Sequence, residues 1–320
     1  MTPKGLRASS VRELSPDLID RNEDNPRLFF RSEEMDTLLA SINRFGIQVP
    51  VTVYDNGDRF VLIDGERRWR CAKKLNLKKI PALVQPRPSP LNNLLLMFNI
   101  HALREQWDYL TIANKLPTVI ELHKKENGTE PNESQLSEIT GLTRGQIRRC
   151  RYLLDLPARY RNQLASELTL PKQKQTLSED FFIEMERALK TVQNRVPDAI
   201  SNLNQARDAL INKFRRKVIG NITDFRMLSK IATSINNVGI KEARARKAIV
   251  EIFDSKNDVG IEELYAEYFE LKYDQKKIVQ NIESIVEFLK SQISADEIVE
   301  KEVRDALSRL RTLITKVLES

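Results

Sequence analysis

Reactive and cross-linking side chains are scarce. The chain has two cysteines, Cys71 and Cys150, and two histidines, His101 and His123, among 320 residues. Cysteines so few and so far apart exclude a disulfide framework and a paired-cysteine metal motif. The two histidines leave little material for a zinc site or a catalytic triad. Glycine is sparse at 10 residues, which argues for helices rather than a many-turned sandwich or barrel. No apolar run approaches the ~18 residues of a membrane-spanning helix. The longest, Leu94-Leu95-Leu96-Met97-Phe98, reads as one buried helical turn. Met1 to Ser15 contains no apolar signal core, so the expected compartment is the cytoplasm, with no membrane partner.

Charge, by contrast, is plentiful. Charged residues make up 30% of the chain, and 52 Lys plus Arg against 45 acidic residues leave a net charge of +7. A basic excess makes nucleic acid a candidate partner without identifying one.

Three textures divide the chain into expected domains at 1–88, 89–168 and 169–320. In the first, Val51-Thr52-Val53-Tyr54 and Phe60-Val61-Leu62-Ile63 are strand-like runs. They flank Asn56-Gly57, a hairpin signal because both residues tolerate positive φ. Glu33 to Phe45 has helical spacing and stops at Gly46, while Ile80 to Val84 reads as a further strand before the proline-rich Gln85–Pro90 boundary. The second and third regions read as helical throughout. The expected fold is therefore an α+β N-terminal domain followed by an all-α helix-turn-helix and an all-α C-terminal region. In the last stretch, Ile298, Val303, Leu307, Leu310, Ile314 and Val317 recur at three- and four-residue steps, as bundle core or a dimer seam. The basic clusters Lys213–Lys217 and Lys241–Lys247 read most simply as solvated helix faces.

The sharpest motif is Gly65-Glu66-Arg67-Arg68-Trp69-Arg70, between a predicted strand and a predicted helix. A strand that ends in Gly and turns into a helix exposes free backbone N–H groups at the positive end of the helix dipole, which favours an anion. Arg67, Arg68 and Arg70 concentrate charge there and can grip phosphate oxygens. The competing reading is a solvated first turn with Glu66 as a favourable helix-start acid.

A second motif lies downstream. Glu133 to Thr140 reads as a short helix, Gly141 as a tight turn, and Thr143 as the N-cap of a helix over Arg144–Leu154. Leu136, Ile139, Leu142, Ile147 and Leu153 or Leu154 would set the inter-helix angle. Thr143, Arg144, Gln146, Arg148 and Arg149 are the candidate DNA contacts, with Gln146 able to read an adenine edge. An ordinary helical hairpin with a basic face is the alternative.

Asn25-Pro26-Arg27, the Glu33–Phe45 helix, Gly46-Ile47-Gln48-Val49-Pro50-Val51, the hairpin, Gly65-Glu66-Arg67-Arg68 and Lys79-Ile80-Pro81-Ala82 follow in order. With Thr140-Gly141-Leu142-Thr143-Arg144, this series resembles the ParB family of partition proteins, within the ParB/sulfiredoxin superfamily, over roughly Leu14 to Leu164. The resemblance implies that Gln48, Gly65, Glu66, Arg67, Arg68, Arg70, Asn99 and Arg104 surround a nucleotide, CTP. It further implies double-stranded DNA as partner, a homodimer, and a task in plasmid partition, regulation or related mobile-DNA biology. Two positions depart from the family pattern: Gln48 sits one place early, and Phe98 replaces the acid that would help hold Mg²⁺. At most weak CTP hydrolysis is therefore expected. The competing functions are a superfamily enzyme, nuclease or small-molecule kinase, and a DNA-binding adaptor with a dead nucleotide site. A sulfiredoxin-like activity would need a cysteine where Glu66 stands. His101 and Trp107 read as packed residues.

Overall fold

The computed structural model describes residues 10–25, 32–101, 107–295 and 300–319. The chain divides into two compact units, residues 1–190 and 191–320. The first unit therefore takes in both the α/β module and the helices that carry the second motif.

The module consists of β1 (Ser10–Leu14), β2 (Ile19–Asp20), α1 (Ser32–Phe45), β3 (Val51–Asp55), β4 (Phe60–Asp64), α2 (Glu66–Lys74) and β5 (Ile80–Gln85). Its sheet runs β1-β5-β3-β4-β2. β3 and β4 form the antiparallel hairpin, and β5 lies parallel to β3 on the other side. β1 pairs antiparallel with β5 and β2 parallel with β4, closing both edges with strands that the sequence patterning does not announce. β1 is mostly polar: of its apolar residues Leu14 is buried and Val11 exposed, so pairing with β5 rather than alternation makes it a strand. The hairpin also differs from expectation. Only Gly57 has positive φ, and Asn56 N–H donates to the Arg59 carbonyl at 2.9 Å, so the connection is a four-residue loop over 56–59.

Val51, Val53, Leu62, Ala72, Ile80, Ala82, Val84, Ile19 and Leu14 form the core under the sheet, with Trp69 and Phe60 packed against it. Each large aliphatic buried there contributes roughly 1.5–3 kcal/mol. A lone hairpin is marginal without such a face to pack.

α3 (Pro90–His101) contacts β4, and α4 (Tyr109–Asn127), α5 (Glu133–Thr140), α6 (Arg144–Asp155), α7 (Ala158–Thr169) and α8 (Glu179–Arg195) follow. Gly141 takes φ +74° between α5 and α6, where a left-handed residue costs Gly least. Leu136, Leu142, Ile147, Cys150 and Leu153 are buried, whereas Ile139 and Leu154 are half-buried.

The second unit holds α9 (Leu203–Arg215), α10 (Asp224–Val238), α11 (Glu242–Phe253), α12 (Ile261–Tyr268), α13 (Glu270–Ala295) and α14 (Lys301–Leu318). In the basic cluster beginning at Lys213, Arg215, Arg216 and Lys217 are exposed as expected, but Lys213 is not part of a solvated face. Lys213 is fully buried, and its Nζ donates to the Glu251 carbonyl at 3.1 Å, Asn257 Oδ1 at 2.7 Å and the Val259 carbonyl at 2.9 Å. Arg216 pairs with Asp258 at 2.6 Å, so the cluster pins the turn between α11 and α12. Along α13 and α14 many apolar residues stay exposed, among them Ile278, Ile282, Ile285, Ile314 and Val317, while Leu289, Val303, Leu307 and Leu310 are half-buried. Ile298 lies outside the described residues.

Candidate functional site

β4 delivers the chain to Gly65, which adopts φ +96° and ψ 24° as the N-cap of α2. Two observations explain the glycine. The left-handed φ disfavours a side chain, and an added Cβ would stand 2.8 Å from Val51 Cγ1. Gly65 offers no side-chain cap to α2, whose first-turn N–H groups therefore lack the usual side-chain acceptor. With the macrodipole behind them they form a preorganised anion-attracting turn.

Glu66 follows directly, and its carboxylate is turned inward, 3% exposed. Oε1 accepts from Arg70 at 2.6 and 3.0 Å and lies 3.2 Å from Arg21 Nε, while Oε2 accepts from Asn25 Nδ2 at 2.5 Å. Close by in sequence, the buried Asn22 donates its amide to Asn93 Oδ1 on α3 at 3.1 Å, and Asn93 donates to Asp24 at 3.4 Å. Glu66 is thus the anchor of a buried polar network that ties the 20–25 segment to α2, while the amides tie it to α3. The solvated-turn reading therefore does not describe it. Asn22 and Asn93 escaped sequence reasoning, and Asn25 was read only as part of the Asn25-Pro26-Arg27 motif; an Asn inside the apolar run Leu91–Phe98 was the available signal.

The three arginines expected to reach a phosphate are each turned to protein acceptors. Arg67 Nη2 donates to the Glu34 carbonyl at 2.9 Å, and Nη1 lies 3.4 Å from its carboxylate, which ties α2 to α1. Arg68 donates to the carbonyls of Val49 and, at 2.7 Å, Pro50, and to Asp64 at 2.9 Å. With its side chain 19% exposed it staples the 46–50 loop to the end of β4 instead of standing free at the turn. Arg70 belongs to Glu66. Any phosphate arriving at Gly65 meets the amides directly and must compete for Arg67 and Arg70.

Among the described residues, Gln48 and Asn99 hydrogen-bond only within their own stretch of chain. Gln48 is exposed and donates to the Phe45 carbonyl. Asn99 is exposed and donates to Leu95 on its own helix at 3.0 Å. Arg104 and Arg27, like the side chain of His101, lie outside the described residues. Phe98 is fully buried and meets Trp107 edge-to-face at 5.3 Å between ring centroids. Its position therefore serves packing, and no oxygen ligand comes from it. Among the described residues, no group of three or more His, Cys, Asp or Glu has a metal-holding arrangement. Cys71 is buried and burial pushes its thiol pKa up, away from a reactive thiolate.

The second surface is α6. Thr143 caps it, accepting from Gln146 N–H at 3.2 Å, and Gln146 Oε1 accepts in turn from Thr143 N–H at 2.8 Å. That capping box occupies the amide oxygen needed for bidentate adenine reading, leaving Nε2. Arg144 is exposed and has no ion pair among the described residues. Arg148 forks onto Glu133 of α5 at 2.9 and 3.1 Å, and Arg151 reaches the same carboxylate at 3.5 Å. Arg149 pairs with Asp180 of α8, and its guanidinium lies 4.8 Å from the Tyr109 ring centre.

The family model for the ParB N-terminal domain matches residues 2–95. The probable chromosome-partitioning protein ParB of Campylobacter jejuni is 33% identical over 151 residues, 47% of this chain and 51% of that protein. ParB of Caulobacter vibrioides is 29% identical over 170 residues, 52% of this chain and 53% of its own. The chain thus spans about half the length of the curated relatives it matches. A C-terminally truncated ParB from Caulobacter crescentus, solved in complex with CTP-γ-S, aligns at 22% identity with a TM-score of 0.29, covering 57% of this chain and 99% of that one. Residues 2–95, which hold the α/β module with the Gly65 turn, match the ParB N-terminal domain, and over about half its length the chain is similar to ParB partition proteins.

Proposed function

We propose that this chain is a DNA-binding protein controlled by a nucleotide, with the triphosphate seated at the Gly65 turn and the duplex along α6. The observation that carries the nucleotide part is the left-handed Gly65 leading into an α2 without a side-chain cap, inside the residues that match the ParB N-terminal domain. CTP is the nucleotide that the family resemblance implies. Gly65 and the first-turn amides would receive phosphate oxygens, with Arg67 and Arg70 exchanging their internal carboxylates for the ligand. Drawing Arg67 from Glu34 frees α1 from α2, and differential affinity for the two arrangements is what a switch requires. Gln48, Asn99 and Arg104 would line the remainder of the site. No step is assigned to a metal.

For DNA, Arg144 is the first cation to test, because its guanidinium carries no internal partner among the described residues. Replacing it with Ala flattens the salt dependence of affinity by about one unit if it contacts a phosphate. Thr143, Gln146, Arg148 and Arg149 complete the surface. The exposed apolar stripes of α13 and α14 support a homodimer. Ile278, Ile282 and Ile285, and likewise Leu307, Leu310, Ile314 and Val317, keep the alternating four- and three-residue step of a coiled-coil seam. Partition of plasmid DNA and gene regulation are both open to such a protein, and the cytoplasm is where both take place.

The internal pairing of Arg67, Arg68 and Arg70, with Phe98 in the core, favours one other reading: a DNA-binding adaptor that has lost its nucleotide. Calorimetric titration with CTP, ATP and GTP, each with and without duplex, separates the two. Saturable CTP binding that Arg67→Ala weakens supports the switch. Absence of binding by all three nucleotides leaves the adaptor.

A further inference from the structure

The second helix of the DNA surface is more neutral than its sequence. Of the four arginines at 144, 148, 149 and 151, three face carboxylates supplied from outside α6. Glu133 takes two of them. Its Oε1 accepts from Arg148 Nε at 3.1 Å and Nη2 at 2.9 Å, charge-assisted bonds of the kind a guanidinium makes with phosphate, and Arg151 Nη1 stands 3.5 Å from Oε2. The Arg148 guanidinium, through hydrogen bonding first, holds the Glu133 carboxyl below its usual range.

Glu133 is not needed to start its own helix. Asn132 caps α5 by accepting from Gln135 N–H at 2.9 Å, and Gln135 returns an acceptor to Asn132 N–H at 2.9 Å. The capping box is complete without Glu133, whose side chain is 23% exposed and directed at α6 instead. Arg148 and Arg151 are half or more exposed, so the cluster lies where a duplex following α6 would meet it. An acid at that place lowers affinity for any phosphate backbone, since it must be displaced or be left as a like charge beside the phosphates. A surface built only for backbone contact gains nothing from it.

We propose that Glu133 is an internal counter-anion that keeps Arg148 and Arg151 out of sequence-independent phosphate binding. Arg148 retains Nη1, which Glu133 does not occupy, for a base edge, and general attraction falls to Arg144 and the rest of the basic surface. Discrimination then comes from suppressing the wrong complex as well as favouring the right one. This inference rests on the DNA-binding reading of α6.

The test uses the full chain and a fluorescently labelled duplex of arbitrary sequence, with affinity measured by anisotropy across roughly 50–200 mM salt. Glu133→Gln keeps the side-chain shape and removes the charge. It should bind the arbitrary duplex more tightly, and the slope of log affinity against log salt should steepen by about one to two units as Arg148 and Arg151 recruit phosphates. In a background carrying Arg148→Ala plus Arg151→Ala, the same Glu133→Gln change should alter the slope by less than about half a unit, because no arginine is left there to recruit a phosphate. An unchanged or shallower slope in Glu133→Gln overturns the proposal, as does an equal steepening by Glu133→Gln in the background without Arg148 and Arg151. If neither wild type nor Glu133→Gln binds any duplex at low salt, the DNA reading of α6 itself falls, and this inference with it.

Discussion

Replacing Glu66 with Gln tests whether the residue after Gly65 is an internal anchor. The substitution preserves volume and one oxygen. That oxygen can still meet Arg70 and Arg21, but the new NH₂ group is placed against Asn25 Nδ2, which now donates to Oε2 at 2.5 Å. A donor faces a donor in a site where the carboxylate is 3% exposed. Leaving a buried polar group without its partner costs about 1–3 kcal/mol. The ion pairs add less, because Arg21 and Arg70 are 50% and 38% exposed and remain hydrated when released, so each is worth at most about 1 kcal/mol. The sum is a loss of roughly 2–4 kcal/mol. Both tryptophans, Trp69 and Trp107, belong to the first unit, so intrinsic fluorescence follows that unit's unfolding. With a urea slope of about 2 kcal/mol per molar, the midpoint should fall by about 1–2 M. A shift smaller than about 0.3 M would refute the anchoring role and return Glu66 to the solvated first turn.

Other substitutions probe neighbouring parts of the account. Gly65→Ala forces a Cβ to 2.8 Å from Val51 Cγ1 at φ +96°; it should cost about 1–3 kcal/mol in the same urea assay and abolish nucleotide binding. Phe98→Glu should unfold the first unit rather than build a metal site, because it places a charge against the Trp107 ring; fluorescence that still shows a folded first unit would contradict the packing. Burial, aided by the negative charge of Asp108, pushes the Glu179 carboxyl up to about 7. Because its folded-state pKa lies above the ordinary 4.5, its stabilising contribution is complete below that value and is lost as pH rises through 7. Glu179→Gln should remove that loss, gaining up to roughly 3 kcal/mol over the wild type at pH near 8; equal pH profiles for the two proteins would count against it.

Much of the architecture was legible because it rests on local signals. The α1 helix with Gly46, the β3–β4 hairpin, the Gly65 turn and the capped α6 each follow from periodicity, turn chemistry or capping within a few residues. What escaped depends on distant partners. β1 carries too few core-facing residues to declare itself and exists through its pairing with β5. Lys213 reads as a surface cation until the carbonyls of Glu251 and Val259 surround it. The site shows the same division. Gly65 was visible as a backbone requirement, yet the directions of Arg67, Arg68 and Arg70 were not, since composition cannot say whether a guanidinium faces a ligand or a carbonyl. Glu66 and Asn93 are polar residues on buried faces. The partners that make such burial tolerable lie 41 residues away for Glu66, at Asn25, and 71 for Asn93, at Asn22.

The coupling between the Gly65 turn and α6 is most directly tested by measuring duplex affinity with and without saturating CTP, in the wild type and in Arg67→Ala. A nucleotide that engages Arg67 and shifts the packing of α1 on α2 should change wild-type affinity by a factor of about 5–150, the range of ordinary allosteric coupling. The change should disappear in Arg67→Ala, whose affinity without CTP should already lie near the CTP-bound wild-type value because the tie to Glu34 is gone. Identical affinities with and without CTP in the wild type, at concentrations where CTP is shown to be bound, would contradict the account.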